Sequence, residues 1–183
     1  WLIHYTDGQI IKYHQDMENG VCDCSIFDYM MKENKNHLDD VALYYFGKKI
    51  TYRELEKKVN QFAASAIEKG IKPGDKVTLC MPNTPEAVYA FYGLNKIGVV
   101  ANMIHPLSST NEIRDFLNEA HSKMLITIDT SFDKVDSIIS DTEVEDTIIV
   151  SPADSMPLPL KVGYNLTVVG PKIPDNKGYC HIP

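Results

Sequence analysis

The pattern of apolar and polar positions is most regular over residues 76–106. An apolar run at residues 77–81 lies between turn residues and predicts a buried strand. The Thr-Pro-Glu sequence that begins at Thr84 supplies a capping residue, a proline at the first helical position and an early acid, which predict a helix start. Gly98 is expected to end that helix in the left-handed conformation, before a second apolar run at residues 99–104. Two apolar strands joined by a helix predict a βαβ unit with parallel strands and a right-handed connection.

The same alternation of helix and strand patterns continues on both sides of this unit. Upstream, Thr51 and Glu54 have the spacing of a capping box, and apolar residues then recur at helical spacing as far as Ile67. Downstream, Ser109 and Glu112 repeat the capping-box spacing. A further helix is predicted to follow a capping box at Ser25 and Asp28 and to end near residues 34–36. The remaining predicted elements are a strand at 41–46, a turn at 47–49, a short strand at 50–51, a strand at 124–128, a helix at 132–139 and a strand at 147–150.

This order of elements predicts the α/β fold class, with an open, mainly parallel sheet and helices on both faces, as in a flavodoxin-like subdomain. A β-hairpin and a helix are expected at its N-terminal edge. Residues 1–24 show no clear period and are interpreted as a lead-in segment, and residues 25–150 as the α/β subdomain itself. Six prolines interrupt residues 151–183, which we interpret as a proline-rich tail with one short helix around residues 160–166.

The composition limits the partners more than it indicates a function. Of the 183 residues, 44% are apolar and 23% are charged, which suits a compact domain that buries a core without disulfide bonds. The formal net charge of −7 argues against a nucleic-acid partner, because a basic surface is what neutralises phosphates. We expect no transmembrane segment, because no apolar run approaches the ~20 residues needed to cross a bilayer. Since no secretory leader is recognisable, a cytoplasmic location is expected.

The cysteines leave two interpretations open. Cys80 lies inside the first predicted strand and is expected to be a small core residue. Cys22 and Cys24 could combine with Cys180 and His181 as a metal site, although metal-binding pairs usually have about two to four residues between the ligands. The other interpretation is reduced thiols in a cytosolic protein, and on this basis we predict no metal site.

Candidate chemistry is sought at the carboxyl ends of the predicted strands, where α/β sheets bind their ligands. Asn83 and Thr84 follow one strand and His105 follows the next, and we take these three residues as candidates for the wall of a binding pocket. His105 has two interpretations, a functional imidazole or a side chain that hydrogen-bonds the strand–helix turn. The chain contains no Gly-x-x-x-x-Gly-Lys-Ser/Thr loop, no Gly-x-Gly-x-x-Gly fingerprint, no Gly-x-Ser-x-Gly elbow and no His-Glu-x-x-His helix. No catalytic residue is therefore predicted.

Four short segments share their spacing with the motifs of one enzyme family. Residues 50–55 are similar to a Thr-Tyr-x-Glu-Leu segment, and residues 74–86 to a Gly-Asp-x-Val segment followed by Pro-Asn-x-x-Glu. Residues 94–100 are similar to a Lys-x-Gly-Ala strand entry, and residues 103–109 to an Asn-Pro-Leu turn. Together they resemble the adenylate-forming enzymes of the AMP-binding superfamily, most closely the bacterial acyl-CoA synthetases, which are fatty-acid–CoA ligases. The resemblance spans at least residues 25–150, and its specificity comes from the combination of segments.

The resemblance implies a parent enzyme that uses ATP and Mg²⁺ to convert a carboxylic acid, here a fatty acid, into an acyl-adenylate. The parent then transfers the acyl group to coenzyme A. Residues 25–150 would be the N-terminal subdomain of its large domain, and residues 151–183 would lead to the remainder. The family's Gly/Ser/Thr-rich phosphate loop, its adenine and ribose motifs and its C-terminal domain have no counterpart in these 183 residues. We therefore predict that this fragment holds no cofactor, is inactive alone, and can self-associate through an apolar face that the remainder would cover.

Two alternatives remain open at this point. One keeps adenylation but changes the acceptor thiol, as in peptide-synthetase adenylation domains. The other is a free-standing, non-catalytic flavodoxin-like module that binds a ligand or a partner. Such a module would be monomeric and would melt cooperatively, whereas a fragment would expose an apolar face.

Overall fold

The computed structural model describes residues 24–167 and the backbone of residues 179–181, so the predicted lead-in segment, apart from Cys24, lies outside the described residues. The helices are α1 (Ile26–Glu33), α2 (Tyr52–Glu68), α3 (Pro85–Lys96), α4 (Thr110–Ala120), α5 (Phe132–Asp136) and α6 (Leu158–Thr167). The strands are β1 (Val41–Tyr45), β2 (Lys48–Thr51), β3 (Lys76–Cys80), β4 (Val100–Ile104), β5 (Met124–Ile128), β6 (Asp146–Val150) and β7 (Tyr179–His181). Short 3₁₀ turns at Asp129–Ser131 and Ile139–Asp141 lie on either side of α5.

The main sheet is open and parallel. Its strand order is β4-β3-β5-β6-β7, and each neighbouring pair of strands runs parallel. β1 and β2 form the predicted antiparallel hairpin as a separate sheet of two strands. The predicted α/β class is therefore confirmed.

The sequence pattern does not predict the fifth strand of the sheet, β7. Residues 147–149 of β6 pair with residues 179–181, within the segment interpreted as a proline-rich tail. A strand of three residues has too few positions to show a period, and the prolines before it argue against a strand. The short helix predicted around residues 160–166 is present as α6.

Helices cover both faces of the sheet because alternate strand residues point to opposite sides. Leu79 and Ile126 pack against α3 and the end of α2. Their neighbours Cys80 and Leu125 point the other way and pack against α4 and α5. A further cluster around Phe27 joins α1, the hairpin, α2 and α3. The core is therefore two layers, one on each face of the sheet, with the N-terminal elements added to the α3 side.

Helix caps form where the capping residues predict them. Thr51 and Ser109 each make a reciprocal capping box with the glutamate three residues later. Ser25 accepts a hydrogen bond from the amide of Asp28 and donates one to its carboxylate. Gly98 follows the end of α3 with a φ of +72°, in the left-handed conformation that was expected there. The ends of these helices are therefore fixed by local sequence.

Two of the boundaries that differ from the prediction have a local reason. The hairpin turn is Phe46-Gly47 and not residues 47–49, and both turn residues have a positive φ (+49° and +84°), as tight turns between twisted strands require. α5 ends at Asp136, earlier than predicted. The Ser137 hydroxyl donates to the carbonyl of Lys134 at 2.7 Å, and this local bond competes with continuation of the helix.

α2 and α3 approach each other closely because Gly93 presents no side chain to α2. A Cβ atom at this position would lie 2.6 Å from the ring of Phe62 and 3.2 Å from the carbonyl oxygen of Val59. Gly163 in α6 has open surroundings, with nothing within 4 Å of such an atom. The two glycines therefore form a matched pair for testing the contact.

We predict that Gly93→Ala lowers the free energy of unfolding by about 1–3 kcal/mol, because overpacking between the helices outweighs the gain in helix propensity. Chemical denaturation of the wild type and the variant measures the difference. The control, Gly163→Ala, is expected to be neutral or to stabilise by up to about 1 kcal/mol. Equal effects of the two substitutions would contradict the close approach of α2 and α3.

Candidate functional site

The carboxyl ends of β3, β4 and β5 surround an open cleft of about 790 Å³. The apolar residues of its walls are Met81, Pro82, Met103, Ile104, Pro106, Leu107 and Ile128. Its polar residues are Asn83, His105, Thr130, Ser131 and Lys134. The parallel topology therefore brings the ends of three strands to one place, and the ends of β3 and β4 carry two of the three predicted candidates.

His105 is exposed and belongs to the turn between β4 and α4. Its Nδ1 accepts a hydrogen bond from the amide of Leu107 at 3.1 Å, and its carbonyl accepts one from the amide of Ser108 at 3.1 Å. The imidazole therefore holds the strand–helix turn, which is one of the two roles considered for it. Because Nδ1 accepts, the neutral ring carries its proton on Nε2. A role for His105 in ligand binding stays a prediction.

Thr84 and Asn83 occupy different environments although they are neighbours in the chain. Thr84 is buried and caps α3, since its hydroxyl oxygen accepts a hydrogen bond from the amide of Ala87 at 3.3 Å. It lines a second, more open cleft of about 440 Å³ beside the β1–β2 hairpin. The exposed Asn83 lines both clefts. The main cleft therefore brings Asn83 and His105 together, but it does not include Thr84.

Lys134 is a residue of the cleft that the sequence pattern does not single out. Its Nζ lies 3.4 Å from the carbonyl oxygen of Ser108, so the side chain reaches from α5 to the turn after β4. Lys134 reaches this turn because α5 packs against the sheet, and no local sequence motif indicates that contact. A cation beside apolar walls suits an anionic ligand with an apolar body.

The carboxyl group of Glu86 lies in a buried environment, which its position as an early acid of α3 does not predict. Its Oε1 accepts a hydrogen bond from the Ser155 hydroxyl, whereas its Oε2 is buried and has no hydrogen-bond partner among the described residues. Burial raises the pKa of the Glu86 carboxyl, and the hydroxyls of Ser155 and Thr84 oppose this shift only in part. Glu86 and Ser155 are 69 positions apart in the chain, so no local signal predicts their contact.

Two tyrosines lie close to this carboxyl. Burial raises the pKa of Tyr45 and of Tyr89 to about 12, and the charge of Glu86 adds to both shifts. The Tyr45 hydroxyl donates a hydrogen bond to the carbonyl of Pro152 at 3.0 Å. The hairpin and α3 are therefore both tied to the loop that follows β6.

Among the described side chains, no three His, Cys, Asp or Glu residues are placed to hold a metal ion. Cys80 is buried in β3, as predicted, and burial raises the pKa of its thiol. Cys24 is exposed, whereas Cys22 and the side chains of Cys180 and His181 lie outside the described residues. Within the described part of the chain, no helix has the length and apolar character needed to cross a bilayer.

Similarity to known proteins extends over most of the described chain. The sequence profile of a family described as AMP-binding enzyme matches residues 31–169. Over 129 residues, the chain is 30% identical to a long-chain-fatty-acid–CoA ligase of Bacillus subtilis strain 168, a match that covers 70% of this chain and 23% of that protein. Over 97 residues, it is 39% identical to an acetyl-coenzyme A synthetase of Penicillium chrysogenum, which covers 50% of this chain and 14% of that protein.

A solved structure shares the fold over a larger part of the chain. The benzoate CoA ligase from Burkholderia xenovorans LB400 superposes with a TM-score of 0.67 and 19% identity, covering 85% of this chain and 32% of that one. At this identity the likeness concerns the fold alone. This chain spans less than a quarter of the length of either curated relative.

We predict that the titration of Glu86 makes the folded chain lose stability as the pH rises. A carboxyl whose pKa is raised on folding holds its proton more tightly in the folded state, so stability falls as the pH rises from the unfolded value of 4.5 through the raised value. Glu86→Gln lacks this titration, so its unfolding free energy relative to the wild type should increase over that interval. Urea denaturation between about pH 4 and about pH 8 measures the difference.

The control for this experiment is Glu119→Gln, which removes an exposed carboxylate on α4. Its stability is expected to follow that of the wild type at every pH. If the Glu86→Gln curve also runs parallel to the wild type, Glu86 is not perturbed by burial and the prediction is wrong.

Proposed function

We propose that this chain, which belongs to the family of AMP-binding enzymes, is the N-terminal part of an acid–CoA ligase. Such an enzyme joins a carboxylate to the α-phosphate of ATP with release of pyrophosphate, and then transfers the acyl group to the thiol of coenzyme A with release of AMP. The proposal rests on one observation. The family profile matches residues 31–169, while the chain spans only 23% of a relative named as a long-chain-fatty-acid–CoA ligase and 14% of one named as an acetyl-coenzyme A synthetase.

We take the acid to be a fatty acid. One relative that aligns over 70% of this chain is named for long-chain fatty acids, and an acetyl-coenzyme A synthetase aligns over the same share, so the choice between the two acids depends on the cleft. The cleft at the carboxyl edge has apolar walls that include Met103 and Leu107, with the cation Lys134 among them, which suits an apolar chain that ends in a carboxylate. In this proposal Asn83 and His105 are part of the pocket wall. Thr84 acts indirectly, by capping the helix that follows Asn83.

The described residues do not by themselves fit a site for ATP or Mg²⁺. The full sequence has no glycine-rich loop that would hold the phosphates to which Mg²⁺ binds. We therefore assign ATP, Mg²⁺ and coenzyme A to the parent enzyme and no step of the reaction to the residues present here. The cytoplasmic location stays a prediction from the sequence.

The first test is catalytic. We expect the 183-residue chain to release no pyrophosphate from ATP in the presence of Mg²⁺, coenzyme A and either acetate or a long-chain fatty acid. A coupled pyrophosphate assay measures this, with the complete Bacillus subtilis ligase as the positive control. Acid-dependent release above the enzyme-free background would contradict the assignment of the chemistry to the remainder of the parent.

Large apolar side chains at the surface support the interpretation as a part of a larger enzyme. Tyr44 and Phe46 of the hairpin are 66% and 60% exposed, and Leu158 and Leu166 of α6 are 75% and 78% exposed. Large apolar side chains left exposed can mark a contact with another protein segment. We propose that the remainder of the parent covers these side chains, and that the isolated chain self-associates through them.

The second test is physical. We expect the apparent mass of the wild-type chain to rise with concentration in light scattering, and the chain to bind an apolar-surface dye. The double variant Leu158→Lys, Leu166→Lys should show both properties less strongly, while its unfolding free energy stays within about 0.5 kcal/mol of the wild type. Asn165→Lys, at an exposed polar position of the same helix, is the charge control and should behave as the wild type. A wild-type chain that is monomeric and binds no dye would favour a free-standing binding module instead.

A further inference from the structure

β4 is an open edge of the main sheet in the described part of the chain. Its neighbour there is β3, with which its five residues pair without a register shift. Val100 and Met103 are each 52% exposed, and they point to opposite faces of the strand. The helices on both faces of the sheet therefore leave space beside β4 for another strand.

The features that usually protect an edge strand are absent from β4. Protected edges typically contain lysine, proline or a bulge, each of which opposes pairing with another chain. Residues 100–104 are Val-Ala-Asn-Met-Ile and contain none of these. The β1–β2 hairpin has two of them, since β2 contains Lys48 and Lys49 and the register of β1 is irregular between Val41 and Leu43. This contrast favours β4 as an edge that pairs with another strand.

The backbone of β4 presents a regular set of hydrogen-bonding groups to the open side. In a parallel pair, only every second residue of a strand bonds to the same neighbour. The amide of Val100 donates to the carbonyl of Asp75 at 2.9 Å, so every second residue from Val100 directs its amide and carbonyl toward β3. Ala101 and Met103 therefore direct theirs outward, to the side on which the described residues include no strand.

We propose that two copies of this chain form a two-fold symmetric dimer in which their β4 strands pair antiparallel, with the axis beside Asn102. Ala101 then opposes Met103 of the second copy and exchanges two backbone hydrogen bonds with it, which symmetry doubles to four. Val100 opposes Ile104 of the second copy on the face covered by α4. Because Met103 and Ile104 also line the cleft at the carboxyl edge, the second copy extends the outer wall of that cleft.

The side chains of β4 are complementary to themselves in this register. Two apolar side chains meet in each outer pair, Ala with Met on one face and Val with Ile on the other, and such cross-strand pairs stabilise a sheet. β4 contains no charged residue, so the two-fold axis brings no like charges together within the strand pair. Asn102 donates one N–H to Thr78 at 3.0 Å, and its amide has a second N–H and an oxygen to exchange with Asn102 of the second copy.

The place of β4 in the sheet favours a second copy over a later segment of the parent. β7, the last described strand, lies at the opposite edge, four strand spacings or about 19 Å away. A pair of five-residue strands is a small contact beside the roughly 1,600 Å² of a standard interface, so we expect a reversible dimer. This dimer is independent of the proposed ligase function.

The first test is a cross-link at the axis. The Cα atoms of opposed Asn102 residues would be about 4.5 Å apart, within the reach of a disulfide, so Asn102→Cys should link two copies on oxidation. In the control, Val100→Cys, the two cysteines would be about 14 Å apart along the strands, which a disulfide cannot span. Both variants also contain Cys22→Ser, Cys24→Ser and Cys180→Ser. Non-reducing electrophoresis and the intact mass measure the linked product.

The second test separates this contact from association through α6. In the Leu158→Lys, Leu166→Lys background, sedimentation velocity should show a reversible equilibrium that reaches twice the mass of one chain and goes no further. Adding Val100→Lys should raise the dissociation constant about tenfold or more, because the ammonium would be enclosed beside Ile104 of the second copy. Tyr44→Lys places the same charge at an exposed strand position of the hairpin and should leave the dimer unchanged.

Each test has a result that overturns the proposal. Absent cross-linking of Asn102→Cys, or equal cross-linking of Val100→Cys, would contradict the register. A background chain that stays monomeric at every concentration, or that dimerises equally well with Val100→Lys, would contradict the contact. Circular dichroism establishes that each variant is folded. Should Val100→Lys fail to fold, Met103→Lys, at the equally exposed position on the other face, takes its place and decides.

Discussion

Burial of both faces of β3 and β5 is the interaction on which this fold depends. β5 is buried at all five positions, and β3 is buried from its second residue onward. A parallel strand of this kind must be covered by helices on both sides. α3 and the end of α2 supply one cover, and α4 and α5 supply the other. Each buried Leu, Ile or Val side chain contributes about 1.5–3 kcal/mol, so these two strands hold the surrounding helices in place.

The same constraint places the candidate site. Parallel strands all end at one edge of the sheet, so the residues after β3, β4 and β5 meet around one cleft. β4 is the outer wall of this cleft and the edge of the sheet, and it has no fully buried residue. The N-terminus of α3 lies at the boundary between two environments. Asn83 before it lines the cleft, whereas Glu86 in its first turn accepts a hydrogen bond from Ser155 in the loop after β6.

The parts of the fold that the sequence predicts are those fixed by short-range physics. The capping boxes at Thr51 and Ser109, the left-handed Gly98 and the apolar runs of β3 and β5 are all determined within a few residues. β7 is too short to show a period. The resemblance of four segments to one family is visible without a structure, because each segment is short and continuous in the chain.

The candidate site was less accessible from sequence because it depends on contacts between distant parts of the chain. The sequence places Asn83 and His105 at the carboxyl edge, since strand ends can be read from the pattern. It does not place Lys134, which reaches the cleft only because α5 packs against the sheet, nor the pairing of Glu86 with Ser155. The burial of a side chain also depends on residues distant in the chain, so the sequence around Glu86 does not predict the raised pKa of its carboxyl.

The central claim is that this chain is the N-terminal part of an acid–CoA ligase whose catalytic parts lie elsewhere in a longer protein. The most direct measurement is the intact mass of the native protein, together with its coding sequence beyond the codon for Pro183. The account predicts a product several times longer than 183 residues, with a Gly/Ser/Thr-rich loop that ends in Lys downstream of Pro183. A native protein that ends at or near Pro183 would contradict it.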